Sequence, residues 1–409
     1  MTHALVIGGG IAGTVAAIAL QKAGFEPTIY EAFDRTADGI GNFVNIAPNG
    51  LDALDSVGLG DLVRRDGFDT PAIAFYSHTG RALTGDVRTD RISAEGMIIQ
   101  TIRRSALYIA LRDEAVRRGI RVEYGKRVTD AKTAGGGVRA VFADGDHAEG
   151  DLLVGADGLR SRVRRIIDPA APAPRYLGVL NAFGCARGVR TPGPSGVIRM
   201  FFGRESFFSY TKHPNGDLWW FANPPRPAEP DPAELSRAAE TWREDLPRLF
   251  EKDRTPAAEI IRATTDLAPP SPTYDLHHVP RWHRDRMVVI GDAAHAVSPT
   301  AGQGCSVAME DGVVLAKCLR DSGSVDGAFA TYEAARRQRV EDIVAQGKYN
   351  NEGNMRRGAV GRQVRNFFIS RAFRTTSGRS DPTWMLGHHI DWDAPEPAAS
   401  HPRGLRTTS

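Results

Sequence analysis

The first constraint is a strand that breaks into glycines and restarts as a helix. Residues 4–24 read ALVIGGGIAGTVAAIALQKAG. The apolar start forms a short buried strand, three glycines turn the chain, and an Ala-rich segment runs as a helix to Gly24. EPTIYEA follows as a second strand, so the chain opens as a βαβ unit. The spacing GxGxxG falls on Gly8, Gly10 and Gly13. Gly8 permits the tight turn, Gly10 lets a pyrophosphate approach the backbone, and Gly13 lets helix and strand pack closely. The helix N-terminus adds free N–H groups and partial positive charge. Glu31 closes the second strand about 20 residues on, where a carboxylate holds ribose hydroxyls. Strand, helix and acid together imply a dinucleotide site. The motif alone does not separate NAD from FAD, but Glu31 would repel the 2′-phosphate of NADP.

The rest of the chain is large enough to build more than this unit. Its 409 residues, 41% of them hydrophobic, suit one large domain or two coupled ones. The 52 basic and 49 acidic residues leave a net charge of +3, which gives no reason to expect a nucleic-acid partner. Three cysteines, Cys185, Cys305 and Cys318, form no CxxC pair and no metal-ligand spacing, so no metal is expected and a reducing cytoplasm suits them. No Lys or Arg precedes the apolar N-terminal stretch and four glycines interrupt it. Neither a signal peptide nor a membrane span is expected there.

Periodicity and turn residues organise the remainder. Helices are expected over Asn49–Val57 and Ser105–Arg118, and strands at IRVEYG, VRAVFADG and DLLVGADG. The texture changes near Asp168: a Pro-rich crossing leads to VIRMFFGRESFFSYTKHPNGDLWWFANPP, three aromatic-rich strands. A helix through LSRAAETWREDLPRLF follows. The strand RMVVIG then returns to the opening type, and helices over about Gly304–Arg320 and Asp326–Gly347 finish the fold. The expected class is α/β: a Rossmann-like nucleotide domain with an inserted, mostly antiparallel β-sheet domain and C-terminal helices. The nucleotide domain comprises 1–70, 97–172 and 283–370, and the inserted substrate domain 71–96 and 173–282. Residues 371–409 form an extension whose tail, from Pro395, has a disordered composition.

Two more strand ends carry acids. GADGLRSRVRR places Asp157 at one, and GDAAHAVSPTAGQG places Asp292 at the other. Alone, each reads as a helix N-cap. Together and in this order, GGGIAG, GADGLRSRVR and GDAAHAVSPTAGQG resemble the FAD-dependent aromatic hydroxylases of the p-hydroxybenzoate and salicylate hydroxylase type, from about Ala4 to Arg339. The resemblance implies that Gly8, Gly10, Gly13 and Glu31 hold the ADP half of FAD. It implies that Arg104 of RRSAL contacts FAD, with Arg103 as the alternative register, and that Val128 lines the adenine. Asp157 falls in the motif linked to FAD and NAD(P)H, and Asp292 would bond a ribityl hydroxyl. Pro299 and the Gly302–Gln303–Gly304 backbone would flank the isoalloxazine ring. His295 falls within the motif as scaffold rather than as a base, and Cys305 as a small loop residue. Two departures stand out. Ala32 follows Glu31 where the family often has arginine, leaving Arg35 as the substitute. Phe43 in GNFVNIAPNG stands where a family segment has glycine, so the family's pocket shape is not carried over on that side.

The implied activity is a single-component monooxygenase that consumes NAD(P)H and inserts one atom of O2 into an aromatic small molecule through a flavin C4a-hydroperoxide. The flavin carries that chemistry, and no protein side chain is assigned as catalytic. Epoxidation, Baeyer–Villiger oxidation or antibiotic inactivation fit the same scaffold; a flavin reductase or a non-catalytic FAD-binding protein are the remaining readings. Alternation sends Trp219 and Trp220 to opposite faces of their strand. Phe43, Phe201, Phe208, Tyr210, Trp220 and Phe221 are the candidate walls of a pocket for a phenolic or polycyclic substrate. The expected protein is a cytoplasmic monomer or homodimer with neither nucleic-acid nor membrane partners.

Overall fold

The computed structural model describes residues 2–34, 42–91, 93, 95–354, 358–372 and 383–395. Its centre is a six-stranded sheet in the order His283–Arg284, Met287–Val289, Leu152–Gly155, His3–Ile7, Glu26–Tyr30 and Arg121–Glu123. All neighbours pair in parallel except the edge hairpin of the first two. The apolar run of His3–Ile7 is explained by its place: it lies between two strands, with helices on its faces. The glycine-loop helix, Ile11–Lys22, packs against a long late helix, Gly304–Asp321. Gly312 allows that contact, since a Cβ there would lie 2.9 Å from the Ala16 nitrogen.

A three-stranded antiparallel sheet, Val128–Ala134, Gly137–Phe142 and His147–Gly150, caps one side of the nucleotide domain. Only its middle strand was legible in the sequence. The inserted domain is a seven-stranded sheet built from 72–77, 87–88 and five strands between Arg175 and Asp275. Its pairings are antiparallel save one, Ile198–Phe202 beside Ala72–Ser77. The helix Pro232–Arg248 covers one face, burying Trp242 and Leu246 against it; a capping box between Asp231 and Glu234 starts that helix.

The chain beyond the cofactor domain does not simply trail away. Helix Ala359–Ala372 lies against the inserted sheet, where Arg365 donates to the carbonyl of Phe202. Residues 383–395 then return to the cofactor domain. His389 Nδ1 lies 2.6 Å from Asp52 Oδ1, Lys317 and Arg320 donate to the carbonyls of Asp391 and Trp392, and Lys22 stands over the Trp392 ring at 4.5 Å. The tail from residue 396 lies outside the described residues. Among those described, no helix is long and apolar enough to cross a membrane.

Candidate active site

The three glycine-and-acid segments meet pairwise. Gly8, at φ 106°, has no room for a side chain because a Cβ would strike the Ala156 carbonyl; this joins the first segment to the second. A Cβ on Gly291, at φ 58°, would lie 3.1 Å from that of Ala12, which joins the first to the third. Arg164 joins the second to the third: fully buried, it donates to the carbonyl of Ala293 at 2.9 Å and to that of Leu159 at 2.8 Å. The sequence shows only an arginine-rich run, LRSRVRR, at that point. A single arginine aligning two strand-end loops has no spacing signal of its own.

The loop glycines differ in what they do. Gly13 is closed, because a Cβ would collide with the Gly8 carbonyl oxygen, whereas Gly10 faces open space. That opening at the N-terminus of Ile11–Lys22 is the cradle an extended pyrophosphate needs. Glu31 accepts hydrogen bonds from the amides of Gly9 at 2.7 Å and Phe33 at 3.0 Å, so it also fastens the loop. Val128 is buried at the start of its strand. Asp157 accepts from Ser161 Oγ and from the amides of Arg162 and Val163, the pattern of a helix cap. Burial pushes its carboxyl above the ordinary range, and those three donors only partly offset it. Arg35 lies outside the described residues.

Asp292 sits at the cleft floor. The residue is exposed to solvent, yet the surrounding protein desolvates its carboxylate enough to push its proton affinity up, against the pull of His295 and Arg104. Arg104 begins the helix Arg104–Arg117 and its charge acts on both Asp292 and Cys305. Burial pushes the Cys305 thiol up to about 12, so it carries no thiolate. Beyond Asp292, the turn Pro299–Ala301 leads through Gly302, at φ 63°, to Gln303 and the helix from Gly304. That helix start has no side-chain cap, which leaves its first backbone N–H groups without an intrahelical or capping partner. Pro299 is exposed at the rim. The residues present fit FAD: an open pyrophosphate cradle at the first strand end, an acid two strands along the same sheet, and a helix start without a side-chain cap that would offer amides to a ring gathering negative charge.

His295 is scaffold. Its Nε2 contacts Asp311, which also accepts from the Gly291 amide at 2.9 Å and Arg336 Nε at 2.9 Å. Next to Asp311, Glu310 binds Arg336 and Arg339 and accepts from Asn49 Nδ2, whose other contact is Gln303 Oε1 at 3.0 Å. Two consecutive acids on one helix therefore anchor both the Asp292 turn and the Gln303 turn.

Over the cleft lies the face of the inserted sheet that carries Trp219. Phe43 meets Trp219 at 6.0 Å between ring centroids, and Phe221 is half-buried on the same face. At the other end, Asn350 and Asn351 donate to the carbonyls of Thr300 and Leu177, which ties the Pro299 turn to the strand Arg175–Ala186. Four candidate pocket residues belong elsewhere. Phe201, Phe208, Tyr210 and Trp220 point to the opposite face and are buried in the core under Trp242 and Leu246. Their strands were read correctly, but the face toward helix Pro232–Arg248 was not.

A family model described as an FAD binding domain matches residues 1–347. The chain belongs to the FAD-dependent aromatic hydroxylases. It is 32% identical to the FAD-dependent urate hydroxylase of Klebsiella pneumoniae, over 83% of this chain and 87% of that protein. It is 29% identical to 6-hydroxynicotinate 3-monooxygenase of Pseudomonas fluorescens, over 83% of this chain and 88% of that one. The structure of Klebsiella pneumoniae HpxO complexed with FAD and uric acid superposes with a TM-score of 0.83 at 28% identity, covering 94% of this chain and 97% of that one. This member of the hydroxylase family therefore has FAD as its cofactor, in an α/β fold with an inserted sheet.

Proposed function

We propose that this hydroxylase uses NAD(P)H and O2 to insert one oxygen atom into an aromatic small molecule held between the flavin and the Trp219 face of the inserted sheet. The carrying observation is the division of labour at the cleft. Asp292, Arg104 and the uncapped amides from Gly304 form one wall, and half-buried aromatic side chains form the other. Bound FAD supplies two-electron reduction and activation of dioxygen. The chain does the rest. Gly10 leaves the pyrophosphate space, while Glu31 secures the loop and faces the ribose. Val128 flanks the adenine, and Asp292 accepts from the ribityl chain. The N–H groups of the Gln303–Gly304 turn stabilise negative charge on the reduced ring. Phe43, Trp219 and Phe221 exclude water and set the ring plane of the substrate. Urate and 6-hydroxynicotinate, named for the relatives, are flat heteroaromatic rings that fit such a slot.

The test is a panel of phenols and heteroaromatic and polycyclic acids. Substrate-stimulated NAD(P)H oxidation should accompany a product heavier by one oxygen atom derived from isotopically labelled O2. A protein that binds FAD yet yields no oxygenated product with any compound would end this reading.

A further inference from the structure

We propose that Arg103 selects substrates bearing an anionic ring substituent, a carboxylate or an equivalent oxyanion, and orients them over the flavin. This rests on the oxygen-insertion reading and narrows its substrate class. Arg103 ends the strand Ile99–Arg103 and is the extended residue before helix Arg104–Arg117. The chain changes from extended at Arg103 to helical at Arg104, and the two adjacent arginines act on different neighbours. Arg104 acts on Asp292 at the cofactor. Arg103 turns to the substrate side, where its guanidinium carbon stands 4.9 Å from the Trp219 ring centroid. Trp219 is itself fixed by stacking on His213 at 5.0 Å and by the edge of Phe68 at 5.3 Å.

Among the described residues the charge of Arg103 lies against a thiol and an aromatic ring rather than a carboxylate. Its guanidinium reaches the Cys185 thiol, which burial keeps protonated. Asp217, which acts on the same thiol, pairs with Arg187 Nε at 3.7 Å and accepts from Asn215 Nδ2 at 3.1 Å. Among the described residues no carboxylate forms an ion pair with Arg103. Other cations of this sheet are differently placed: Arg199 and Lys212 donate to backbone carbonyls, on the opposite face. An exposed guanidinium held against an aromatic wall keeps a planar fork of donors. That fork matches a carboxylate in two parallel hydrogen bonds, and the stacking reduces the entropy lost on binding. An aromatic acid would place its ring beside Phe43 and Phe221 and its oxyanion at Arg103.

The experiment uses the full-length, FAD-loaded protein and matched pairs of aromatic carboxylic acids and their primary carboxamides, with one, two and three fused rings. Binding is read from perturbation of the flavin's visible spectrum. The wild type should bind at least one acid about tenfold or more tightly than its amide. Arg103→Gln should erase that preference while leaving FAD affinity and amide affinity unchanged, and Arg103→Lys should restore part of it. The proposal is overturned if no acid binds, if acid and amide bind alike, or if Arg103→Gln weakens both equally, as a structural role would. Oxygen insertion into a neutral ring, unaffected by Arg103→Gln, would sink this proposal and leave the monooxygenase reading standing. Arg103-dependent acid binding without oxygen insertion into any compound would do the reverse.

Discussion

The imidazole Nε2 of His295 lies 2.5 Å from Asp311 Oδ2, and both side chains are buried. Burial alone would push the Asp311 carboxyl up. The charges of His295 and Arg336, with the Gly291 amide, more than offset this and hold it below the ordinary range. A carboxylate so held contributes stability above its unfolded value near pH ~4, and that stability is lost as pH falls further.

Asp311→Asn should therefore leave buried His295 without its carboxylate and Arg336 with Glu310 alone, and destabilise the fold by about 3 kcal/mol, read by urea or thermal unfolding of the FAD-loaded protein. His295→Gln tests the scaffold role directly. At a temperature where the variant is folded, kcat should fall by less than about tenfold, whereas loss of a general base costs about 100-fold or more.

Gly10 and Gly13 should separate cofactor binding from folding. Gly10→Ala adds a methyl into open space, so the protein should fold with an unchanged melting temperature and bind FAD about tenfold more weakly by fluorescence titration. Gly13→Ala drives a methyl against the Gly8 carbonyl and should cost about 1–3 kcal/mol of stability even without cofactor.

The adjacent tryptophans should behave oppositely. Trp220 is fully buried, with Nε1 donating to Thr264 Oγ1 at 2.7 Å. Trp220→Ala should cost about 3–5 kcal/mol and leave substrate preference intact. Trp219→Ala should change KM and product distribution, with a smaller fall in melting temperature.

This pair shows where sequence reading stops. Alternation along LWWFAN puts the two indoles on opposite faces, but only the docking of Trp242 and Leu246 decides which face is core. The glycine spacing was legible because close backbone contact admits a single residue type. Asp292 was legible because strand ends in parallel sheets open on clefts. Arg164 and the Glu310–Asp311 anchors were not, because Ala293, Arg336 and Arg339, which they bind, lie 25 or more residues away and impose no local period.

Asp253 gives a pH signature. Its carboxyl is buried beside the Arg204 backbone, and burial pushes it up to about 6; Arg204 and Arg362 oppose this, and Glu205 adds to it. The folded state thus holds a proton that the unfolded chain releases near pH ~4. The stability this adds is full below that value and is lost as pH rises through about 6. Between pH ~4 and ~6 the wild type should lose melting temperature relative to Asp253→Asn, whose neutral amide does not titrate.

The clasp of residues 383–395 on the cofactor domain has a consequence for synthesis. Lys22, in the first helix, covers the ring of Trp392, and Arg320 holds that residue's carbonyl. At about 5–20 residues per second, the first helix leaves the ribosome on the order of tens of seconds before its last partner. The central sheet is complete only after Met287–Val289 and the helix Gly304–Asp321 have followed, so residues 383–395 close on a cofactor domain that is otherwise fully assembled.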